Sequence, residues 1–270
     1  MAFDLRAVEL EIAGTAFAGR VTHFPSVDST NTLALEAAQA GARSGVWVAD
    51  EQTAGRGRAG HGWHSTAGDG LYASMLITPA LPMATALLIS LLTGLAAKRA
   101  IAEAAGLDAD IRWPNDLLVN GKKCGGILVE TTVTPAIGPE SEAMLRYAVI
   151  GVGINLNHEY FPDEIASIAT SLRIEGGRTV SREAILVALL RTLHDELRRL
   201  TDRQARTNNI RELLERFAEA SSWVRGKRVR VEEARGYTGV TAGLDDSGFL
   251  LVDSDDGIRR TVLSGGVRER

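Results

Sequence analysis

GRGRAGHGW, residues 55–63, is the segment of this chain that decides between two fold classes. The glycines at its first, third and sixth positions match the pattern G-x-G-x-x-G, which opens directly into a helix in dinucleotide-binding α/β domains. Here residues 61–65, HGWHS, come next, and Gly68 and Gly70 follow closely, so we expect no helix after the loop. The segment therefore argues against a doubly wound parallel sheet.

The composition of this segment is typical of a loop that wraps an anionic small molecule. Glycine lets the backbone turn tightly and approach a ligand without a clash at Cβ. Arg56 and Arg58 offer planar donor forks that fit carboxylate or phosphate, and Trp63 can cover an apolar or flat ligand. A loop with a purely structural role is the alternative, but ordering so many glycines without a ligand would be costly in entropy.

The rest of the chain mixes predicted strands and helices without a regular βαβ rhythm. Apolar runs predict strands near residues 20–28, 45–49, 71–77, 111–113, 116–123, 125–132 and 147–155. Apolar spacing and capping residues predict helices near residues 30–40, 84–105, 181–200 and 208–220. An Asn-Gly pair at residues 120–121 predicts a hairpin turn. We therefore expect an α+β fold in which a mixed or antiparallel sheet packs against helices.

The pattern of the sequence changes after Trp223. Val229 and Val231 alternate with charged residues, and turn residues recur at short intervals downstream. This pattern predicts a small antiparallel β module. We therefore expect two domains, residues 1–222 with the ligand site and residues 223–270 with the β module.

Composition excludes several classes of protein. The 270 residues include 34 acidic and 30 basic ones, and this balance argues against a chain built mainly to bind nucleic acid. The single cysteine, Cys124, cannot form an internal disulfide, and the N-terminus lacks the features of a secretory signal, so we expect a cytoplasmic location. Residues 79–97 carry no charge, but Pro79, Pro82 and several polar residues favour a helix buried in a soluble core over a membrane span.

A second segment, RWPND at residues 112–116, supplies further polar groups. Pro114 fixes its own φ and restricts the residue before it. Asn115 can read an amide or an adenine edge, and Asp116 can hold Mg²⁺ or a network of donors. A turn capped by Asn and Asp is the alternative interpretation.

Three other features could contact the same ligand. Lys123 precedes two glycines and, with the two arginines of the loop, would form a charge clamp, although a solvated hairpin lysine is the alternative. Asn155 ends the run GVGIN either as a ligand contact or as part of a sheet-end turn, and residues 29–31, STN, could cap a helix and also reach a ligand. His61 and His64 lie close in sequence but lack a third ligand, so we predict no histidine metal site.

Taken together, the segments resemble the biotin protein ligase family, in which they occur in the same order. The matching pieces are DSTN at residues 28–31, EQTAGRGRAGHGW at 51–63, WPND at 113–116, KCGGILVE at 123–130 and GVGIN at 151–155. Each piece alone is unspecific, whereas the combination is highly specific. The resemblance implies a class II synthetase-like catalytic domain followed by a small SH3-like β-barrel.

The resemblance also implies an ATP-dependent ligase, a biotin–[acetyl-CoA carboxylase] ligase, with two half-reactions. Biotin's carboxylate attacks the α-phosphate of Mg-ATP and gives biotinyl-5'-AMP and pyrophosphate. A lysine of a biotin carboxyl carrier protein or domain then takes the biotinyl group and releases AMP. The implied ligands are therefore ATP, Mg²⁺ and biotin, with no permanently bound prosthetic group. This chemistry needs positioning and positive charge rather than an enzyme nucleophile.

Individual residues receive expected roles from the resemblance. Those expected to bind biotin are Ser29, Thr30, Asn31, Gln52, Arg56, Gly57, Arg58, Lys123, Gly125 and Gly126. Arg58 and Lys123 are the expected catalytic residues, because Arg58 would retain the adenylate and Lys123 would lie against the carboxylate. Trp63, Asn115 and Asn155 are expected to contact the nucleotide. Asp116 is expected to lie near Mg²⁺ that the phosphates of ATP carry.

Two departures from the family's pattern affect these expectations. Arg112 stands where lysine is common, which leaves its role open. Some members carry an N-terminal winged helix-turn-helix that represses transcription, whereas only residues 1–20 precede the first predicted strand here. We therefore expect a ligase that binds neither DNA nor membranes, and homodimer formation on ligand binding is left open.

Two alternatives to the biotin ligase remain. The first is a lipoate or octanoate ligase or transferase of related fold, which shares acyl activation and a lysine acceptor, although the glycine–arginine loop with its tryptophan favours biotin. The second is a nucleic-acid-binding module that uses Arg56 and Arg58, against which the net acidity and the lack of interleaved aromatic residues count.

Overall fold

The computed structural model of the protein describes residues 3–136, 138, 142–233, 236–263 and 266–269. Helices in this part of the chain are α1 (Leu5–Glu11), α2 (Thr30–Gln39), α3 (Ala86–Ala105), α4 (Asp163–Ala166), α5 (Leu172–Gly176), α6 (Arg182–Thr201) and α7 (Arg206–Ala220). Strands are β1 (Val21–Val27), β2 (Gly45–Gln52), β3 (Gly70–Ile77), β4 (Asp110–Arg112), β5 (Asp116–Val119), β6 (Lys122–Thr134), β7 (Met144–Asn155), β8 (Arg225–Val231), β9 (Tyr237–Leu244), β10 (Leu250–Ser254), β11 (Arg259–Val262) and β12 (Val267–Glu269).

The first seven strands form one mixed sheet in the order β1-β2-β3-β7-β6-β5-β4. β1 and β2 run parallel, and the other neighbouring pairs are antiparallel. The last five strands form an antiparallel sheet in the order β11-β10-β9-β8-β12. The predicted α+β class is therefore confirmed, and the second sheet is consistent with an SH3-like module.

Most of the predicted elements are present, whereas three short helices were not predicted. α1, α4 and α5 contain seven, four and five residues. Each is shorter than two full helical turns, so too few positions repeat for a helical period to show in the sequence. The longer α6 begins as expected, because the Ser181 hydroxyl accepts a hydrogen bond from the backbone N–H of Ala184.

The hairpin between β5 and β6 turns at Asn120 and Gly121, as the sequence predicts. Their φ angles are 50° and 78°, which is the left-handed pair that a tight hairpin turn requires. The register that follows places Asp116 opposite Gly126. Asp116 and Lys123 therefore belong to the same hairpin.

The large sheet buries apolar side chains on both faces. On one face, Met75 and Ile150 join a large core that α3 and α6 cover. On the other face, Leu76 and Val149 join a smaller cluster with α2. Because successive side chains of a strand point to opposite faces, alternate positions of β3, β6 and β7 face α2.

Helix α3 contains most of the uncharged segment at residues 79–97. The sequence favoured a buried helix there over a membrane span. Met83–Ala105 is long and apolar enough to cross a membrane by length and composition, and 67% of its most apolar window is buried inside the protein. α3 packs against α6 and the sheet and ends at Gly106, whose φ of 71° suits glycine. The apolar surface of this helix is thus used in the large core.

Trp113, between β4 and β5, joins the large sheet to the segment between β9 and β10 of the second sheet. The Trp113 side chain is buried, and its Nε1 donates a hydrogen bond to the Gly248 carbonyl at 2.9 Å. Gly248 has a φ of 87°, and a Cβ there would lie 2.8 Å from a methyl group of Leu91 on α3. The predicted domain boundary after residue 222 falls between α7 and β8 and stays a prediction. One apolar cluster includes residues of both sheets, such as Val229.

We expect Trp113→Phe to lower the free energy of unfolding by about 1–3 kcal/mol, because it removes a buried N–H and leaves the Gly248 carbonyl unpaired. Urea unfolding followed by circular dichroism measures the loss. Trp47→Phe is the matched control, since Trp47 packs against the smaller cluster on the other face of the sheet. A loss no larger than that of the control would show that the Trp113 bond contributes nothing to stability.

Candidate active site

One cleft opens on the face of the large sheet that α2 covers. Residues 55–63, which we call the lid, lie across it, and the cleft holds about 450 Å³ of space, part of it open to solvent. The lining residues are Ser29, Thr30, Asn31, Gln52, Arg56, Gly57, Arg58, Trp63, Ala73, Asn115, Lys123, Gly126, Ile127, Leu128, Gly151, Val152 and Gly153.

The floor of the cleft is organised around the side-chain amide of Asn31, which is 4% exposed. Its Nδ2 donates to Glu130 Oε2 at 2.9 Å, and its Oδ1 accepts from the Ser74 hydroxyl at 2.5 Å. A Cβ on Gly151 would lie 2.2 Å from Asn31 Oδ1, so only glycine leaves room for this amide. Because donors and acceptors match on both sides, the amide has one satisfied orientation.

A second polar group on the floor is the side-chain amide of Gln52. Its Oε1 accepts from the backbone N–H of Thr30 at 2.9 Å, and its Nε2 donates to Ser65 Oγ at 3.0 Å. Thr30 Oγ1 lies within hydrogen-bond distance of both Gln52 and Ser74. Ser29 occupies the N-cap position of α2 but makes no side-chain capping bond. The hydroxyls of Ser29 and Thr30 are thus placed where a ligand could use them.

The lid folds back on itself as a small hairpin rather than opening into a helix. The Gly57 N–H donates to the His61 carbonyl at 2.7 Å, and the Trp63 N–H donates to the Gly55 carbonyl at 2.8 Å. A single 3-10 turn, Arg58–Gly60, lies at its tip, as expected for a loop without a following helix. A Cβ on Gly55 would lie 2.5 Å from the Trp63 carbonyl oxygen, so the close approach of the two lid strands requires glycine there.

The two arginines of the lid have different partners. Arg56 donates to Glu130 Oε1 at 2.6 Å, so its charge is paired. Arg58 donates to the neutral Asn115 Oδ1 at 2.7 Å. Desolvation by the surrounding protein lowers the pKa of Arg58, and the negative charge of Asp116 opposes that shift. A guanidinium nevertheless stays protonated, so Arg58 presents a positive charge at the cleft, and none of the ion pairs among the described residues neutralises it.

Trp63 forms one wall of the cleft at the base of the lid. A Cβ on Gly153 would lie 2.5 Å from Trp63 Nε1, and Lys123 Nζ lies 5.4 Å from the centre of the Trp63 ring. The indole N–H is buried and has no hydrogen-bond partner among the residues that the structure describes. This N–H packs against Gly153, and the Trp63 ring contributes to the lining of the cleft.

Lys123 is held by the carboxylate of Asp116. Lys123 Nζ lies 2.6 Å from Asp116 Oδ1, and Arg112 Nη2 lies 2.5 Å from Asp116 Oδ2. Burial would raise the pKa of Asp116, but the charges and hydrogen bonds of Lys123 and Arg112 hold it below its ordinary value. The carboxylate therefore fixes the lysine at the mouth of the cleft and keeps one net positive charge in the group.

This pairing bears on the expected contact between Asp116 and Mg²⁺. Both carboxylate oxygens already bind cations, so a metal ion there would have to displace Lys123 or Arg112. Within the described ranges, no group of three or more His, Cys, Asp or Glu side chains could hold a metal ion. The residues present do not fit a metal held directly by Asp116, and Mg²⁺ is treated below only as part of the nucleotide substrate.

Eleven of the predicted site residues line the cleft, whereas three do not. Gly125 lies against Leu117, where a Cβ would come within 2.9 Å. Asn155, at the end of β7, is buried and donates to the Thr170 carbonyl at 3.0 Å. Asp116 does not line the cleft itself but holds Lys123, which does. The roles expected of all these residues stay predictions.

Four residues that organise the site were not predicted for it. Ser74 and Glu130 hold Asn31, and Gly151 and Gly153 leave room for Asn31 and Trp63. Ser74 was visible in the sequence as one hydroxyl inside an apolar strand. Glu130 was visible as a charge two residues after Leu128, on the same face of its strand.

Comparisons with known proteins point to one family. The Biotin/lipoate A/B protein ligase family matches residues 23–155, and the Biotin protein ligase C terminal domain matches residues 225–267. The bifunctional ligase/repressor BirA of Bacillus subtilis is 36% identical over 238 residues, which cover 87% of this chain and 69% of that protein. The biotin–[acetyl-CoA-carboxylase] ligase of Mycobacterium tuberculosis is 34% identical over 246 residues, 88% of this chain and 84% of that protein.

A solved structure gives the same result. The biotin protein ligase from Aquifex aeolicus in complex with biotin and ATP is 26% identical and has a TM-score of 0.77. The match covers 93% of this chain and 100% of that chain.

We expect Asp116→Asn to destabilise the protein at pH 7 by about 1–3 kcal/mol, because Lys123 and Arg112 lose their common anion. The folded-state pKa of Asp116 is lowered, so its contribution is present above the ordinary value of 3.8 and is lost as the pH falls through the lower folded-state pKa. The difference between wild type and variant should therefore shrink between pH 5 and the lowest pH at which unfolding can be followed.

Urea unfolding across this pH range measures the difference. Asp108→Asn is the matched control, because Asp108 is 90% exposed in its pair with Lys98. A difference for Asp116→Asn that stays constant from pH 7 downwards would contradict the lowered pKa.

Proposed function

The chain belongs to the biotin protein ligase family, and we propose that the cleft under the lid is the site where biotin and ATP react. As a member of this family, it is an ATP-dependent ligase that forms biotinyl-5'-AMP and transfers the biotinyl group to a lysine of a carboxyl carrier protein. The observation that carries the assignment of the site is that Arg58 and Lys123 line one cleft, together with the amides of Asn31 and Gln52.

The first step joins two anions. A carboxylate oxygen of biotin attacks the α-phosphorus of Mg-ATP, the bond from that phosphorus to the α–β bridging oxygen breaks, and pyrophosphate leaves with the electron pair. Repulsion between carboxylate and phosphate is the main barrier to their approach. Positive groups fixed in advance lower that barrier, because they need no reorganisation when charge moves. Arg58 and Lys123 supply such charges, and Asp116 holds the lysine in place.

The second step needs little from the protein beyond access and retention. A neutral lysine amine of the carrier attacks the carbonyl carbon of the mixed anhydride, the carbon–oxygen bond to AMP breaks, and the amine proton goes to solvent. AMP leaves and an amide remains. The lid limits entry of water and loss of the adenylate until the carrier lysine arrives.

The polar floor suits the head group of biotin. A ureido ring offers two N–H donors and one carbonyl acceptor, and the side chains of Ser29, Thr30, Asn31 and Gln52 offer both kinds of partner. Trp63, Asn115 and Asn155 are proposed for the nucleotide. Trp63 lines the cleft, and its flat ring supports the placement of a flat base on that side.

The proposed partner is a biotin carboxyl carrier protein or the carrier domain of an acyl-CoA carboxylase. A cytoplasmic location is part of the proposal, since ATP is available there. Cys124 is buried, and burial raises the pKa of its thiol to about 12, so it is proposed as a packing residue rather than a reactive one. The expectations about DNA, membranes and a homodimer stay predictions.

One experiment tests the proposed reaction directly. The protein is incubated with biotin and Mg-ATP, pyrophosphate release is followed, and the bound product is identified as biotinyl-5'-AMP by mass spectrometry. Calorimetry with biotin and with lipoate separates the two acyl substrates, and tighter binding of lipoate would overturn the choice of biotin. Binding of oligonucleotides without pyrophosphate release would favour the nucleic-acid alternative.

We expect Lys123→Ala to slow adenylate formation by about 10²-fold or more, because a fixed charge is removed from the reacting centre. Pyrophosphate release in a single turnover at saturating biotin and ATP measures the rate. Lys122→Ala is the matched control, since Lys122 is the exposed neighbour of Lys123. Unchanged turnover in Lys123→Ala would reject the role assigned to it.

We expect Arg58→Gly to release biotinyl-5'-AMP early, because the charge at the tip of the lid is lost. Labelling of lysines on bystander proteins should rise relative to labelling of the carrier, as detected by streptavidin blotting. Ala59→Gly is the matched control, because it adds a glycine at a φ of 54° in the same loop and keeps Arg58. If Arg58→Gly labels only the carrier, then Arg58 does not retain the adenylate.

A further inference from the structure

Glu130 is the residue through which the floor of the cleft reaches the lid. It lies on β6, facing α2, and its two carboxylate oxygens bind different elements. Oε2 accepts from Asn31 Nδ2 at 2.9 Å, and Oε1 accepts from Arg56 Nη2 at 2.6 Å. One carboxylate thus joins the pocket floor to the loop above it.

The inner end of this connection is rigid. Asn31 is buried, its Oδ1 accepts from the Ser74 hydroxyl, and its amide fills the space that the missing side chain of Gly151 leaves. The Asn31 Nδ2 also lies 3.5 Å from the Leu128 carbonyl, so its surroundings are acceptors. An anion is therefore the suitable partner at position 130, and its position is set by the floor rather than by the lid.

The outer end of the connection controls the whole lid. Arg56 pairs with Gly62 across the lid hairpin, and Trp63 N–H is bonded to the Gly55 carbonyl. A force on Arg56 is therefore transmitted to both strands of the lid. The Arg56 and Glu130 side chains are 42% and 24% exposed, so water competes for their bond. A partly exposed pair can hold the lid and still open.

We propose that Glu130 is a positioning residue that holds the lid closed over the biotin pocket by linking Arg56 to Asn31. The floor holds the Glu130 carboxylate in place, and this fixed carboxylate binds Arg56 when the lid is closed. The closed lid then slows the escape of a ligand from the pocket. The two arginines of the lid then have different roles. Arg56 holds the lid closed, and Arg58 faces the reacting groups. The part that concerns adenylate rests on the proposed function.

The central test is Glu130→Gln, which keeps the size of the side chain and removes its charge. Release of preformed biotinyl-5'-AMP, measured by rapid dilution and filtration, should be about tenfold faster. Adenylate formation in a single turnover at saturating biotin should change by less than about threefold, because the reacting groups keep their charges. Glu36→Gln is the matched control, since Glu36 is an exposed glutamate of α2.

A double-mutant cycle with Arg56→Gln separates this link from a general loss of stability. If Arg56 acts through Glu130, the double variant should release adenylate no faster than either single variant. Additive effects would overturn the proposal. So would a Glu130→Gln variant whose release rate equals that of wild type, or whose adenylate formation slows more than its release accelerates.

A ligand-free measurement makes the proposal independent of the proposed reaction. Hydrogen exchange of the Gly57 and Trp63 amides, which are bonded within the lid, should be several times faster in Glu130→Gln, while exchange in β7 stays unchanged. If wild-type protein makes no adenylate, the proposed function fails, and this measurement alone decides whether Glu130 holds the lid. Equal lid exchange in variant and wild type would overturn the proposal.

Discussion

The buried side-chain amide of Asn31 is the group on which the arrangement of the site depends. An amide removed from water must find partners for its oxygen and its nitrogen, or the fold loses stability. Ser74 and Glu130 are those partners, and Gly151 supplies the space. The identities of residues on three neighbouring strands are therefore set by one polar group on α2, and the cleft forms where apolar packing between α2 and the sheet gives way to hydrogen bonds.

The charges around the cleft are arranged before any ligand binds. Asp116 offsets part of the repulsion between Lys123 and Arg112, and Asn115 holds Arg58 without neutralising it. The site thus keeps positive charge directed at the cleft. The carboxylate of Asp116 lies between Lys123 and Arg112, so these two cations do not face each other without an anion. A reaction between a carboxylate and a phosphate benefits from this arrangement, since the positive side chains do not have to move into place during the reaction.

The lid is a loop rich in glycine that nevertheless has a definite conformation. Backbone hydrogen bonds across the lid and the close approach of Gly55 to Trp63 give it a definite shape. At its base Trp63 packs against Gly153, and nearer its tip the lid is held by side-chain bonds of Arg56 and Arg58, which are partly exposed to water. A hairpin that moves as a unit on such contacts can close over a small molecule and later open for a carrier domain.

The sequence by itself determined the fold class, most of the longer helices and strands, and the set of segments that meet at the cleft. These are local properties: apolar periodicity, capping residues, the Asn120–Gly121 turn and the absence of a helix after the lid. Only the tertiary structure decided which side chains pair, because Arg56 and Asn31 meet Glu130 across 74 and 99 residues of chain. Strand register and the face of the sheet set those contacts. For the same reason Asp116 emerged as the partner of two cations and Asn155 as a buried partner of the Thr170 carbonyl, although both stood in the expected motifs.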